Sequence, residues 1–267
     1  MSESLLQVDK IEVVYKRVIT AVQGVTLSVA KRHIVALLGT NGAGKTTTLR
    51  AISGFLGIDD ARVTEGTISF EDSRLENLPP HDITGRGVAL VPERDKVFPN
   101  LTVAENLSVS VARATTVAER RHDEDRIYNF FPRLAELRQR VGGLLSGGER
   151  QMMAIAGALM CRPKLLLVDE LSLGLAPVVV EDLTRRLMTV REEMGIAILL
   201  VEQSAALALE IADYAYVMEN GRIVLDGDRE RLKSHQDVQE FYLGQVGGER
   251  RSYRDVKQYR RSRRWYG

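Results

Sequence analysis

The sequence predicts an α/β protein around a largely parallel central sheet, and three runs carry that prediction. "HIVALLG" (33–39), "KLLLVDE" (164–170) and "AILLVEQ" (197–203) are continuous apolar stretches, as expected of strands buried on both faces. The last two each follow a segment of helical character, and buried strands alternating with helices build parallel sheets. The three runs end on Gly39, on Asp169-Glu170 and on Glu202-Gln203. Ligands in such sheets sit beyond the carboxyl ends of the strands, so these ends are expected to build one site.

The other elements fit around this core. Leu6, Val8, Ile11, Val13 and Tyr15 alternate with polar residues, and "VTLSV" (25–29) and "GTISF" (66–70) repeat the pattern, predicting half-buried strands in the first part of the chain. From about Asn100 to Leu145 helical patterns dominate, which reads as a helical insertion. The division expected is a core of residues 1–95 and 160–245, a helical subdomain of residues 96–159, and a basic tail of residues 246–267. From Glu249 onward eight basic residues stand against two acidic ones, with Tyr253, Tyr259, Trp265 and Tyr266 among them. The net charge of +1 therefore conceals an acidic globular part. Such a tail suits anionic lipid headgroups, an acidic partner surface, non-specific nucleic acid or a solvated terminus.

With 267 residues, 44% hydrophobic and 27% charged, the chain can bury one large core with an inserted subdomain. Met1-Ser2-Glu3-Ser4 does not read as a targeting signal. No apolar run approaches the roughly 18–20 residues that span a bilayer. The expectation is a soluble, cytoplasmic chain whose membrane role, if any, comes through a partner. Cys161 is the only cysteine, which rules out an intramolecular disulfide and reads as a small apolar residue.

Chemistry is carried by three motifs. "GTNGAGKT", comprising Gly39, Thr40, Asn41, Gly42, Ala43, Gly44, Lys45 and Thr46, matches G-x-x-x-x-G-K-[ST] between a strand and a helix. Glycines let the backbone wrap a phosphate, while amide groups and the helix N-terminus turn positive partial charge inward. Lys45 would reach the β and γ phosphates, Thr46 would hold Mg²⁺, and Thr47 would add a phosphate contact. In the second motif Asp169 would coordinate the Mg²⁺ of a bound nucleotide and Glu170 would polarise the attacking water. In the third, "LLSGGERQMMAIAGALM", Ser146, Gly147, Gly148 and Glu149 have capping-box spacing, with Met152, Ile155, Ala156 and Leu159 following at helical intervals. Physics alone gives a well-capped helix here.

In order and spacing, "GTNGAGKT", "LSGGE" and "LLLVDE" resemble the signature motifs of ATP-binding cassette (ABC) ATPases over nearly the whole chain. The resemblance implies a P-loop NTPase fold of the ABC ATPase type, with a mixed central sheet, an N-terminal antiparallel β-subdomain and an inserted α-helical subdomain. It implies ATP and Mg²⁺ as ligands. It also places Tyr15 on the adenine, although the residue alone reads as a core aromatic of a strand. Glu93 falls at the position of a glutamine that contacts Mg²⁺ and the attacking water, and Gln203 at that of the switch histidine sensing the γ-phosphate. Gly174 and Leu175 fall in a loop that touches the partner subunit. Two such subunits, as homodimer or heterodimer, would sandwich two ATP molecules between the glycine loop of one and the "LSGGE" of the other. Closure would drive two transmembrane permease subunits, supplied by a periplasmic or extracellular substrate-binding protein. Nucleic acid is not an expected partner, and peripheral attachment to the inner face of the cell membrane is.

More closely, "LVPERDKVFPNLTVAENL", "DELSLGLAP" and "LVEQSAALALEIADYAYVMENGRIVLDG" resemble the second ATPase subunit of high-affinity branched-chain amino acid importers. That subfamily carries Glu and Gln at the positions of Glu93 and Gln203. Leu171 departs from the family's usual proline, with a looser following loop as the expected consequence, and the tail is longer than usual. Importers of urea, amides or small organic acids, and a nucleotide-gated module with weak turnover, remain open alternatives.

Overall fold

The structure, a computed structural model, describes residues 4–93, 97–111, 116–235 and 238. The expectations for the tail, 246–267, lie outside the described residues.

Strands β1 (Ser4–Tyr15), β2 (Ile19–Ala30), β4 (Ala61–Phe70) and β5 (Ser73–Arg74) form an antiparallel sheet in the order β2-β1-β4-β5. A second sheet holds β3 (Ile34–Gly39), β6 (Val88–Val91), β7 (Leu165–Asp169), β8 (Ala197–Glu202), β9 (Tyr214–Glu219) and β10 (Arg222–Asp228), in the order β10-β9-β3-β8-β7-β6. Its neighbours pair parallel except β9 with β10. The sheet is thus mixed, and the antiparallel sheet lies in the N-terminal part.

Every residue of β3, β7 and β8 is buried, and the pleat explains why these strands need continuous apolar runs. Successive side chains point to opposite faces, and here both faces meet a core. Leu38, Leu166, Val168, Ile198 and Leu200 enter one core with the helices of the insertion. Val35, Leu37, Leu165, Leu167, Leu199 and Val201 enter the other with the antiparallel sheet and α1 (Lys45–Ser53). Full burial of each such side chain stabilises by about 1.5–3 kcal/mol, so a polar residue in mid-strand is excluded from either face.

After α2 (Pro80–Gly85), the segment between β6 and β7 carries α3 (Val103–Val109), α4 (Val117–Phe130), α5 (Pro132–Glu136) and α6 (Gly147–Met160). Capping boxes start three of them, Thr102 with Glu105, Thr116 with Glu119 and Ser146 with Glu149. Helix α6 is buried on all sides from Gln151 to Met160, because it packs against β6 as well as α3, α4, α5 and α7 (Pro177–Met194). The periodic apolar stripe accounts for only part of that burial. Helices α8 (Ala205–Ile211) and α9 (Arg229–Ser234) follow β8 and β10.

Candidate functional site

The parallel register levels the ends of the central strands. Leu38 pairs with Glu202, and Asp169 with Val201. Gly39, Glu170 and Gln203 therefore emerge side by side, as the three apolar runs predicted. A cleft of about 780 Å³ opens there, lined by Asn41 to Thr47 of the glycine loop, Glu93, Glu170 and Gln203.

The loop is shaped by steric necessity at two glycines. Gly44 holds φ 105°, and a Cβ there would lie 2.7 Å from the Met218 methyl and 3.0 Å from the Ala21 carbonyl. At Gly39 a Cβ would fall 2.4 Å from the Met218 carbonyl oxygen. Helix α1, which follows, has neither a side-chain cap nor an acidic residue in its first turn. Its free amide groups and dipole are thus left for an anion, in contrast to the capped α3, α4 and α6.

Lys45 is only 5% exposed. Its Nζ donates to the carbonyls of Gly39 at 3.0 Å and Thr40 at 3.2 Å, and pairs with Glu170 Oε1 at 3.2 Å. Thr46 Oγ1 donates to Asp169 Oδ1 at 3.2 Å. Burial pushes the Asp169 carboxyl up to about 6; the Thr46 hydrogen bond opposes this, and the charges of Glu170 and Glu93 add to it. Glu170 continues the strand pairing through its N–H to the Val201 carbonyl at 3.0 Å, yet adopts φ 52°, uncommon for a residue with a side chain. Leu171, which follows it, is fully buried in the core.

At the end of β8 the two polar residues diverge. Gln203 Nε2 donates to Asn41 Oδ1 of the glycine loop. Glu202, wholly buried, accepts from Ser172 N and Ser172 Oγ, each at 2.9 Å. Burial also raises its carboxyl above the usual range, against the opposing bonds from Ser172.

Tyr15 does not line the cleft, although its hydroxyl lies 3.2 Å from Thr47 Oγ1. Ser146 to Glu149 also lie outside it. Ser146 and Gly147 are exposed at the start of α6, where Ser146 N donates to Glu149 Oε2 at 2.9 Å and Glu149 N to Ser146 Oγ at 3.3 Å. Gly148 is in close quarters within the chain, since a Cβ there would sit 2.6 Å from Val179 Cγ1. Gly174 holds φ 71°, and Leu175 packs partly against the core.

Sequence reasoning missed Ile19, Thr20, Ala21, Leu173, Asn220 and Gly221, which complete the cleft wall. The Asn-Gly pair between two apolar runs is a readable hairpin signal, and Asn220 and Gly221 do join β9 to β10 at positive φ. Gly221 N donates to the Ala43 carbonyl at 2.8 Å, so this hairpin braces the glycine loop. Among the described residues no cluster of three or more His, Cys, Asp or Glu could hold a metal ion by itself, and no helix is long and apolar enough to cross a membrane.

A family model described as ABC transporter matches residues 22–172. The high-affinity branched-chain amino acid transport ATP-binding protein BraG of Pseudomonas aeruginosa is 41% identical over 240 residues, 90% of this chain and 100% of that protein. The probable branched-chain amino acid transport ATP-binding protein LivF of Archaeoglobus fulgidus is 37% identical, covering 83% and 92%. The lipopolysaccharide export system ATP-binding protein LptB of Haemophilus influenzae is 33% identical, covering 84% and 91%. Among solved structures, a nucleotide-free ATP-binding cassette from an ABC transporter superposes with a TM-score of 0.77 at 27% identity, over 92% of this chain and 100% of the other. The ADP conformation of an ATP-binding cassette gives 0.76 at 27%, over 91% and 100%. An ATP-binding likeness over nine-tenths of the sequence, on a fold whose central strand ends meet at a glycine loop, leaves one assignment: the chain belongs to the ABC transporter family and is an ATPase subunit of it.

Proposed function

We propose that this ATPase powers uptake of branched-chain amino acids or related small amino acids and carboxylates. The observation that carries the catalytic part is the buried Lys45 ammonium, held between loop carbonyls and Glu170 beside the uncapped start of α1. The triphosphate of ATP supplies a further anion toward which this cation can turn part of its bonding. The loop from Gly39 to Lys45 wraps the phosphates and Thr47 adds a contact. Glu170 takes the proton of the attacking water, and Gln203 donates to the γ-phosphate without titrating. The bond from Gln203 to Asn41 holds that amide at the loop before nucleotide arrives. Tyr15, anchored through Thr47, lies beside the adenine.

The residues present suit a magnesium ion held jointly with the phosphates. Such an ion takes one or two carboxylates and leaves other positions to phosphate and water, and the Thr46–Asp169 pair with Glu93 nearby offers that set. When bound, Mg²⁺ would neutralise charge on the β and γ phosphates. Thr46, Asp169 and Glu93 would hold it.

Ser146, Gly147, Gly148 and Glu149 lie outside their own chain's cleft, so they serve the nucleotide of a second subunit. The capping box holds the exposed turn in shape for that contact. Two permease subunits and a substrate-binding protein complete the assembly, which attaches this chain to the inner face of the membrane.

Import is favoured by the 41% identity to an amino acid transport ATPase against 33% to an export ATPase. Urea or amide import is the second reading, since an ATPase subunit does not contact cargo. Uptake of radiolabelled leucine in cells lacking this chain tests the proposal. Loss of uptake restored by the parent and not by Lys45→Ala supports it; leucine uptake at the parental rate refutes the substrate assignment, and urea or amide uptake lost instead would install the second reading.

A further inference from the structure

Glu202 is unused by the phosphate chemistry just described, yet it is fully buried one residue before Gln203. A carboxylate in such surroundings is costly unless its oxygens are satisfied. Here they are satisfied by one loop above all. Oε1 accepts from the Ser172 amide and Oε2 from the Ser172 hydroxyl, each at 2.9 Å, and the Ser204 amide adds a further donor.

Ser172 stands two residues after Glu170, and that short turn is difficult to hold. Glu170 sits in the left-handed region at φ 52°. Its N–H bonds to the Val201 carbonyl of β8 at 3.0 Å, and Leu171 is sunk in the core. Ser172 is then fastened to Glu202, also on β8. The turn that aims the Glu170 carboxylate is thus clamped at both ends by consecutive residues of one neighbouring strand. Because successive strand residues point opposite ways, the same strand end sends Gln203 to Asn41 in the glycine loop.

We propose that Glu202 is a positioning residue for hydrolysis, a buried clamp that fixes the Glu170 turn against the strand end that carries Gln203. Its two bonds to Ser172 hold the water-activating carboxylate and the γ-phosphate donor at a constant separation. The inference rests on the assignment of Glu170 as base. A misplacement of about 1 Å in a reacting group can cost on the order of 10²-fold in rate, which sets the scale of the effect.

The test compares steady-state phosphate release and nucleotide affinity for the full chain and its variants, with folding followed by circular dichroism and thermal melting. Glu202→Ala is expected to lower kcat by about 10- to 10²-fold while KM and nucleotide Kd stay within about twofold. Glu202→Gln should recover to within about threefold of the parent, because the amide oxygen accepts from the Ser172 N–H and its NH₂ donates to the Ser172 hydroxyl. Parental kcat in folded Glu202→Ala overturns the proposal, as does an equal loss in Glu202→Ala and Glu202→Gln. Should Glu202→Ala fail to fold, Ser172→Ala decides, since it removes one clamp bond and no buried charge. A kcat several-fold lower at unchanged Kd supports the clamp, and parental kcat overturns it. Glu170→Gln serves as the separate control. Normal turnover there would remove the base assignment, whereas an inactive Glu170→Gln beside a parental Glu202→Ala would remove the clamp alone.

Discussion

Replacing Lys45 by alanine should weaken nucleotide binding and destabilise the nucleotide-free protein, and the structure sets both magnitudes. The ammonium makes two bonds to loop carbonyls and one ion pair with Glu170, while only 5% of Lys45 and 6% of Glu170 is exposed. When phosphate binds, the cation must turn part of this bonding toward it. A hydrogen bond to a charged group contributes about 1.5–3 kcal/mol, so losing the cation should raise the nucleotide Kd by roughly 10- to 10²-fold. In the nucleotide-free chain the same change strips a buried carboxylate of its partner, which costs about 3–5 kcal/mol. At about 2–4 °C per kcal/mol for a chain of this size, the melting temperature should fall by roughly 6–20 °C. Glu170→Gln removes the stranded charge. The double variant Lys45→Ala/Glu170→Gln should therefore regain much of the stability and none of the affinity. Fluorescent-nucleotide titration and thermal melting read the two quantities separately. A Kd within twofold of the parent in Lys45→Ala would refute the placement of the phosphates.

Two other expectations follow from the same site. Gln203→Ala should lower ATP turnover by about 10²- to 10³-fold, the usual cost of losing a donor where negative charge develops, with Kd little changed, whereas Gln203→His should retain much of the activity; phosphate-release kinetics on the assembled complex measure both. For Asp169, burial raises the folded carboxyl from 3.8 to about 6, so its contribution to stability is full below about pH 4 and is lost as pH rises through about 6. The metal-free parent should lose about 3 kcal/mol relative to Asp169→Asn across that interval, and urea unfolding of both proteins at pH 4 and pH 7 should show the difference; a pH-independent gap contradicts it.

The sequence made the centre of the fold legible for a physical reason. Strands β3, β7 and β8 feed two cores at once, so their residues cannot alternate with polar ones, and their lengths and polar ends could be read directly. The cap of α6 was legible because Ser146 and Glu149 interact three residues apart. Its burial on every side was not, because that depends on β6 and four other helices. Pairings across the chain were also out of reach. Lys45 meets Glu170 and Ser172 meets Glu202 only through the strand order, which local patterns do not encode. Neighbours on a strand face opposite ways, so Glu202 and Gln203 had to diverge, yet Ser172 as the partner of Glu202 needed the fold. The roles of Tyr15, Glu93 and Ser146 came from resemblance, since a strand aromatic, a loop carboxylate and a helix cap each have a plain structural use.

The central claim is that Glu170 activates the attacking water in a site that binds ATP through the Gly39–Thr47 loop. Single-turnover phosphate release at saturating Mg-ATP, comparing the parent with Glu170→Gln, tests it most directly. The amide keeps the shape of the side chain and cannot take the proton, so the rate should fall by about 10²-fold or more while ATP binds at least as tightly as to the parent. Phosphate release by Glu170→Gln at close to the parental rate would contradict the claim.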